Sequence, residues 1–233
     1  MKTIVAAVLS AIFLQGIVFA DANDLIPAQL EWEGRIYSLV PWEELGKGVV
    51  YTDINGDGVD EAVASFRAST PGEEYPVPQT FHLIYEFTEG KPKLVKTIVP
   101  LDEKLNEVKS VELPSKNGVR HRALAIFGHG GAHYTSLSVY KYINEDYELI
   151  FENGSACPVE VRDGEDSVSI WVGRANWDEE GWCYAIGEPL WQVYTWDGDA
   201  FIYNSELSTT REISEYEEVT GFVGEYKKRA EQQ

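Results

Sequence analysis

The chain has 233 residues, of which 19 are lysine or arginine and 39 are aspartate or glutamate, so its formal net charge is −20. A charge of this size repels nucleic acid and anionic membrane surfaces, and we expect neither as a partner. It favours solubility and the binding of cations, and the length is sufficient for one domain with a substantial core.

The first twenty residues have the character of a secretory signal peptide. Lys2 precedes an apolar run from Ile4 to Leu14 and then from Ile17 to Phe19, broken by Gln15 and Gly16, and Val18 and Ala20 occupy the −3 and −1 positions of a cleavage site before Asp21. An uncleaved membrane anchor is the alternative, but the apolar run is short for that role. No later segment is apolar for long enough to cross a bilayer. We therefore expect a secreted or periplasmic protein, with a leader more typical of bacteria.

Strand-forming segments recur along the rest of the chain. Tyr85, Tyr140 and Tyr194 lie at the centres of predicted hairpin strands, 55 and 54 residues apart, and each is followed two positions later by another aromatic residue. Two further apolar strands precede each of these hairpins, which gives a unit of about four strands. The three units cover residues of about 45–100, 105–152 and 157–205.

A fixed period of about 55 residues is typical of stacked β-repeats. We predict a mostly β protein made of repeated antiparallel four-stranded units, arranged like the blades of a complete or incomplete β-propeller. The alternative is a β-sandwich with evenly spaced hairpins. Residues 21–233 should form a single domain, since no low-complexity linker divides them, and residues 209–233 should form a short helical C-terminal tail.

An acidic loop separates the first two predicted strands of the first unit. Asp53, Asn55 and Asp57 alternate along it, and Gly56 and Gly58 allow the backbone to curl tightly. Oxygen atoms at every second position can then converge on one point, as a hard divalent cation and above all Ca²⁺ requires. An ordinary hairpin turn without metal is the alternative.

The spacing of the acidic loop differs from that of an EF-hand. With Asp53 as position 1, Val59 at position 7 can offer its backbone carbonyl and Glu61 at position 9 can complete the set of ligands. An EF-hand needs a carboxylate at position 12, where Ala64 stands. The remaining interpretation is a shorter calcium-binding loop that joins two strands.

The segment DINGDGVDEA, from Asp53 to Ala62, is entered and left by apolar strands. It resembles the FG-GAP or VCBS-type repeat of integrin α-subunit propellers and of many bacterial exported proteins. The resemblance covers about 15 residues and implies a Ca²⁺ ion bound between adjacent strands of a propeller blade. The ligands that it implies are the side chains of Asp53, Asn55, Asp57 and Glu61 and the carbonyl of Val59. The corresponding turns of the second and third units lack the alternating carboxylates.

The chain contains two cysteines, Cys157 and Cys183, both beyond the leader. An even pair in an oxidising compartment predicts a disulfide bond. Two buried thiols are the alternative, and a metal site built on them is disfavoured because neither belongs to a Cys-x-x-Cys pair.

Five of the seven tryptophans fall in the third unit. Trp171 and Trp191 lie in predicted strands, and we expect them to be internal. Trp177 and Trp182 lie in a polar connection with Tyr184, and these three are candidates for contact with a glycan or peptide ligand.

The functional prediction is an exported, calcium-binding β-repeat protein with a non-enzymatic binding or structural role and an unknown protein or glycan partner. The chain has no Gly-x-Ser-x-Gly sequence, which argues against one large class of hydrolases. The alternative is a secreted hydrolase or glycan-processing protein that uses carboxylates near Trp177 and Trp182. A third possibility is an inhibitor or assembly factor that acts through the acidic surface.

Overall fold

The computed structural model describes residues 25–39, 48–72, 79–99, 105–130, 134–164, 167–175 and 189–213. These residues form fourteen β-strands in antiparallel sheets, which confirms the expectation of a mostly β protein. Within these ranges, no helix has both the length and the apolar character needed to span a membrane. The predicted leader and most of the predicted C-terminal tail lie outside the described residues.

The first sheet contains six strands. They are β1 (Gln29–Trp32), β2 (Arg35–Leu39), β3 (Gly48–Thr52), β4 (Glu61–Ser69), β5 (Gln79–Thr88) and β6 (Lys91–Ile98). One edge of β4 pairs with β5, and the other edge is shared between β3 and β2. Strand β3 occupies the N-terminal half of β4, from Thr52 opposite Glu61 to Gly48 opposite Ser65.

The second and third sheets have four strands each, and in both sheets every strand pairs with the next one along the chain. The second sheet contains β7 (Leu105–Pro114), β8 (Arg120–Gly130), β9 (Tyr134–Ile143) and β10 (Asp146–Ser155). The third contains β11 (Val159–Asp163), β12 (Val168–Arg174), β13 (Leu190–Trp196) and β14 (Phe201–Tyr203). These strands include the hairpins around Tyr140 and Tyr194 that the sequence predicts.

Buried side chains join the sheets in chain order. Between the first and second sheets lies a cluster of seven buried residues, which we call the first inter-sheet core: Ile54, Val63, Ile84, Ile98, Leu124, Ile126 and Tyr147. A larger core joins the second sheet to the third and includes Leu113, Phe127, Leu137, Ile170, Tyr194 and Trp196. The opposite face of the first sheet packs around Phe66 and Phe81 with Leu25 and Tyr37.

The hairpin of β1 and β2 was not among the predicted strands. Its turn is formed by Glu33 and Gly34, which both have positive φ angles (48° and 74°). Such a turn matches the twist of two antiparallel strands. The Glu-Gly pair and the flanking Leu30, Trp32 and Ile36 were therefore a usable hairpin signal.

The acidic loop, residues 53–61, lies where the first sheet meets the second. The hydroxyl of Thr52, the last residue of β3, donates a hydrogen bond to Ser110 Oγ of β7 at 2.9 Å. Arg122 of β8 lies 3.9 Å from the carboxylate of Asp60. Ile54 is buried in the first inter-sheet core. These contacts place the loop against the second sheet.

Candidate metal site

The backbone of the acidic loop curls around the side chain of Asp53. Gly56 and Gly58 have φ angles of 79° and 87°, in the left-handed region that side chains rarely adopt. Their N–H groups donate to the two carboxylate oxygens of Asp53, at 2.8 Å from Gly56 and 3.1 Å from Gly58. The glycines therefore let one carboxylate organise the first half of the loop.

Asn55 and Asp57 continue this pattern along the loop. The side-chain oxygen of Asn55 accepts a hydrogen bond from the backbone N–H of Asp57 at 2.9 Å. Asp57 Oδ1 accepts one from the N–H of Val59 at 2.7 Å. Each side-chain oxygen thus accepts a hydrogen bond from the backbone N–H two residues later in the chain, as in an Asx-turn. The side chains are oriented before any ligand arrives.

Glu61 completes the loop from the first position of β4. It is only 2 % exposed, and its Oε2 accepts hydrogen bonds from the N–H groups of Ile54 (2.6 Å) and Asn55 (3.2 Å). Burial raises the pKa of Glu61 to about 7, the two backbone hydrogen bonds oppose the increase, and the charges of Asp57 and Asp53 add to it. The loop therefore holds a carboxylate where ionisation is unfavourable without a cation.

The carboxylates of Asp53, Asp57 and Glu61 converge. Each offers an oxygen atom, and these atoms all lie within 4.8 Å of one another. Among the described residues, no lysine or arginine forms an ion pair with any of the three. Carboxylates brought this close repel one another unless a positive charge lies between them. An all-oxygen set of this kind suits a hard divalent cation.

The other two predicted ligands lie beside this triad. The amide nitrogen of Asn55 is 3.3 Å from Asp57 Oδ2, so the Asn55 side chain is adjacent to the converging oxygens. The side chain of Val59 is 38 % exposed, and only its backbone carbonyl can act as a ligand. The five residues Asp53, Asn55, Asp57, Val59 and Glu61 stay predicted ligands.

A second acidic turn, at residues 197–200 between β13 and β14, has a different arrangement. Asp197 Oδ1 accepts the N–H groups of Asp199 and Ala200, both at 2.9 Å. The ammonium group of Lys116, from the β7–β8 turn, pairs with Asp199 and lies 3.9 Å from Asp197. The backbone hydrogen bonds from Ala200 and Asp199, followed by the Lys116 charge, hold the pKa of Asp197 below its usual value. This turn has a cation supplied by the chain.

Tyr147 of β10 is a residue near the acidic loop that sequence reasoning did not select. It is 3 % exposed and belongs to the first inter-sheet core together with Ile54. Its ring contacts that of Tyr142 edge to face, with the centroids 5.0 Å apart. No local pattern could have identified it, because its proximity to the loop depends on how two sheets pack.

The tryptophan predictions have different outcomes. Trp177, Trp182 and Tyr184 lie outside the described residues. Trp171 and Trp191 were expected to be internal, but both are only partly buried, with their ring centroids 5.9 Å apart. The guanidinium group of Arg162 lies 3.8 Å above the Trp171 ring. The prediction is wrong for Trp171 because it alternates along β12 with Ile170 and Val172, which face the core. Trp191 of β13 pairs with Gly173, so it lies on the same face as Trp171.

Cys157 is buried, 2 % exposed, and is not a free thiol. Cys183 lies outside the described residues, so the pairing of these two cysteines stays a prediction.

Comparison with known proteins adds no family to this picture. No family model, no curated protein and no solved structure matches the chain. The resemblance of the acidic loop to FG-GAP and VCBS-type repeats therefore stays an interpretation of its own residues.

Proposed function

We propose that this protein binds Ca²⁺ at the acidic loop and that the ion rigidifies the turn between β3 and β4. The role is a non-enzymatic one, structural or in binding a partner, in an exported β protein. The observation that carries the proposal is the convergence of the Asp53, Asp57 and Glu61 carboxylates, with no counter-cation from the described part of the chain.

The chemistry of the loop favours calcium over softer metals. The candidate ligands are carboxylate, amide and carbonyl oxygens, which suit Ca²⁺ and Mg²⁺, whereas zinc sites use histidine and cysteine. Ca²⁺ accepts six to eight oxygens in flexible geometry, and water can fill the positions that the loop leaves open. A bound ion would also favour the ionised form of Glu61, whose pKa is otherwise raised to about 7.

The arrangement of the sheets supports the interpretation that this loop belongs to a propeller-like assembly. Strands β3–β6, β7–β10 and β11–β14 are each consecutive antiparallel strands, and buried clusters join the three sets in chain order. We interpret them as blade-like units of an incomplete propeller. The ion would then stabilise the turn that contacts the neighbouring unit. Binding of a protein or glycan partner would use the outer surface of this assembly.

Calorimetric titration tests the ion. We expect the purified, chelator-treated protein to release or absorb heat on titration with Ca²⁺, and Asp57→Asn to weaken binding by at least tenfold. Asp60→Asn is the matched control. It removes the same charge one residue before Glu61, but Asp60 faces Arg122 and is not part of the converging triad.

Three results would reject the proposal. The first is no binding by the unmodified protein at millimolar Ca²⁺. The second is equal affinity in the unmodified protein and in Asp57→Asn, because the ion would then lie elsewhere. A larger loss in Asp60→Asn than in Asp57→Asn would also place the ion outside the triad.

A separate experiment addresses the role. Capture of a partner from the exported fraction of the native source, performed with Ca²⁺ and with a chelator, should give a calcium-dependent partner. If hydrolytic activity toward a glycan or peptide copurifies with the chain instead, the non-enzymatic role is wrong.

A further inference from the structure

The hydroxyl group of Tyr147 is buried without a hydrogen-bond partner among the described residues. The residue is 97 % buried, at the start of β10. Burying a hydroxyl that makes no hydrogen bond is costly, and native proteins rarely leave one so. The group therefore indicates a partner that the described part of the chain does not provide.

Packing places Tyr147 beside the acidic loop. Tyr147 and Ile54 belong to the same buried cluster, and the N–H of Ile54 donates to the carboxylate of Glu61 at 2.6 Å. Tyr147 comes from the second sheet, whereas Ile54 lies in the loop between β3 and β4 and Glu61 begins β4 of the first sheet. Tyr147 and the acidic loop thus meet at the same junction between the two sheets.

The electrostatic surroundings of Tyr147 agree with this location. Burial raises the pKa of Tyr147, and the charge of Glu61 is the next largest cause, followed by Glu86. Tyr142 and Asp57 contribute less. The Tyr147 hydroxyl therefore lies within the field of two carboxylates of the acidic loop, Glu61 and Asp57.

We propose that Tyr147 belongs to the ion site, and that its hydroxyl accepts a hydrogen bond from a water molecule that is itself a ligand of the cation. This inference rests on the calcium site proposed above. A divalent cation polarises its water ligands and makes them strong donors, and a phenol oxygen can accept from them. The ion would then connect the acidic loop of the first sheet to β10 of the second.

The junction is already held at a defined separation by polar contacts. Lys96 of β6 donates to both carboxylate oxygens of Asp146 at 2.8 Å, one residue before Tyr147. The Thr52–Ser110 hydrogen bond lies at the other side of the loop. These contacts fix the first and second sheets to each other near the acidic loop.

Tyr147→Phe tests the inference because it removes only the hydroxyl. Residues that hydrogen-bond to metal ligands typically change metal affinity by about 10–100-fold. We expect Tyr147→Phe to weaken Ca²⁺ binding about tenfold in calorimetry. Without the ion, the unfolding midpoint of Tyr147→Phe should be equal to or higher than that of the unmodified protein. The variant no longer buries a hydroxyl that has no hydrogen-bond partner, and such burial is costly.

Tyr140→Phe is the matched control. Tyr140 packs against the same cluster, but burial and the charge of Glu152 raise its pKa, without a contribution from the loop. We expect its Ca²⁺ affinity to equal that of the unmodified protein, and a loss similar to that in Tyr147→Phe would overturn the inference.

The outcomes separate this inference from the calcium site itself. If the unmodified protein binds Ca²⁺, Asp57→Asn does not, and Tyr147→Phe binds with unchanged affinity, the calcium site stands and the role of Tyr147 is wrong. The role is also wrong if Tyr147→Phe lowers the unfolding midpoint in chelator, because the hydroxyl then has a structural partner. Absence of binding in the unmodified protein overturns both proposals.

Discussion

Two acidic turns of this protein differ in how the repulsion between their carboxylates is balanced. At residues 197–200, Asp197 and Asp199 meet the ammonium group of Lys116, which arrives from a turn 80 residues earlier in the chain. In the acidic loop, Asp53, Asp57 and Glu61 converge without an ion pair to any described lysine or arginine. The second acidic turn carries its counter-ion, whereas no described lysine or arginine pairs with the three converging carboxylates of the acidic loop.

The difference has a clear effect on proton affinity. Backbone hydrogen bonds from Ala200 and Asp199, with the Lys116 charge, lower the pKa of Asp197. Burial and the neighbouring carboxylates raise the pKa of Glu61 to about 7, in spite of two backbone hydrogen bonds. Backbone donors alone are therefore insufficient to stabilise the charge of a buried carboxylate that has like-charged neighbours. A soluble cation can supply what the chain does not.

The largest expected effect that tests this contrast comes from truncating Glu61. Glu61→Ala leaves the N–H groups of Ile54 and Asn55 without their acceptor. We expect a loss of about 4 kcal/mol of unfolding free energy in chelator, since each buried, unsatisfied donor costs about 1–3 kcal/mol. Chemical denaturation measures it. Glu61→Gln keeps one acceptor oxygen and should lose much less, and equal losses in the two variants would show that the hydrogen bonds contribute little.

Calcium itself should stabilise the protein by the next largest amount. At a Ca²⁺ concentration 100 times the dissociation constant, linkage predicts a gain of about 2.7 kcal/mol. Thermal unfolding with Ca²⁺ and with chelator would show it as a rise in the midpoint. The rise should disappear in Asp57→Asn and persist in Asp199→Asn, because the second acidic turn already has Lys116. If the rise in the unfolding midpoint disappeared in Asp199→Asn instead, the ion would bind at the second acidic turn and not at the acidic loop.

The pH dependence of stability in chelator should show the raised pKa of Glu61. Its pKa is about 7 in the folded protein and about 4.5 when unfolded. The stability that this group contributes is therefore complete below pH 4.5 and is lost as the pH rises through 7, by about 2 kcal/mol after allowance for solvent screening. The contribution of Asp197 to stability has the opposite pH dependence. The pKa of Asp197 is lowered in the folded protein, so its contribution is lost as the pH falls below about 3.8.

Denaturation between pH 4.5 and 8 checks the effect of Glu61 when the unmodified protein is compared with Glu61→Gln. The difference in stability between the two should change across this range in the predicted direction. A pH-independent difference would mean that Glu61 ionises with an ordinary pKa.

The smallest effect should follow the loss of Lys116. Lys116→Met removes the cation from the second acidic turn, but the groups are exposed, and exposed ion pairs contribute little. We expect a slight fall in the unfolding midpoint at low salt that disappears at 0.5 M salt, whereas Lys93→Met, a control at another exposed lysine, should show no fall. A large, salt-independent fall would indicate packing of the Lys116 side chain against Gly198 instead.

Much of the fold follows from local patterns. The hairpins around Tyr85, Tyr140 and Tyr194 were predictable because adjacent strands pair through short turns, so that their contacts are local. The β1–β2 hairpin had the same kind of signal and was missed. The orientation of Trp171 and Trp191 was not predictable in this way, since alternation assigns residues to two faces without saying which face is covered.

Some features of the candidate site likewise follow from the local sequence, and others depend on how the sheets pack. Its alternating oxygens and its two positive-φ glycines lie within nine consecutive residues, so the sequence by itself determined the shape of the acidic loop and its suitability for a hard cation. Only the tertiary structure decided that Glu61 is buried with a raised pKa, that Lys116 pairs with the second acidic turn, and that the Tyr147 hydroxyl is buried without a hydrogen-bond partner among the described residues. The physical reason is that charge and burial depend on which sheets pack together, and these partners are about 80 or more residues apart in the chain.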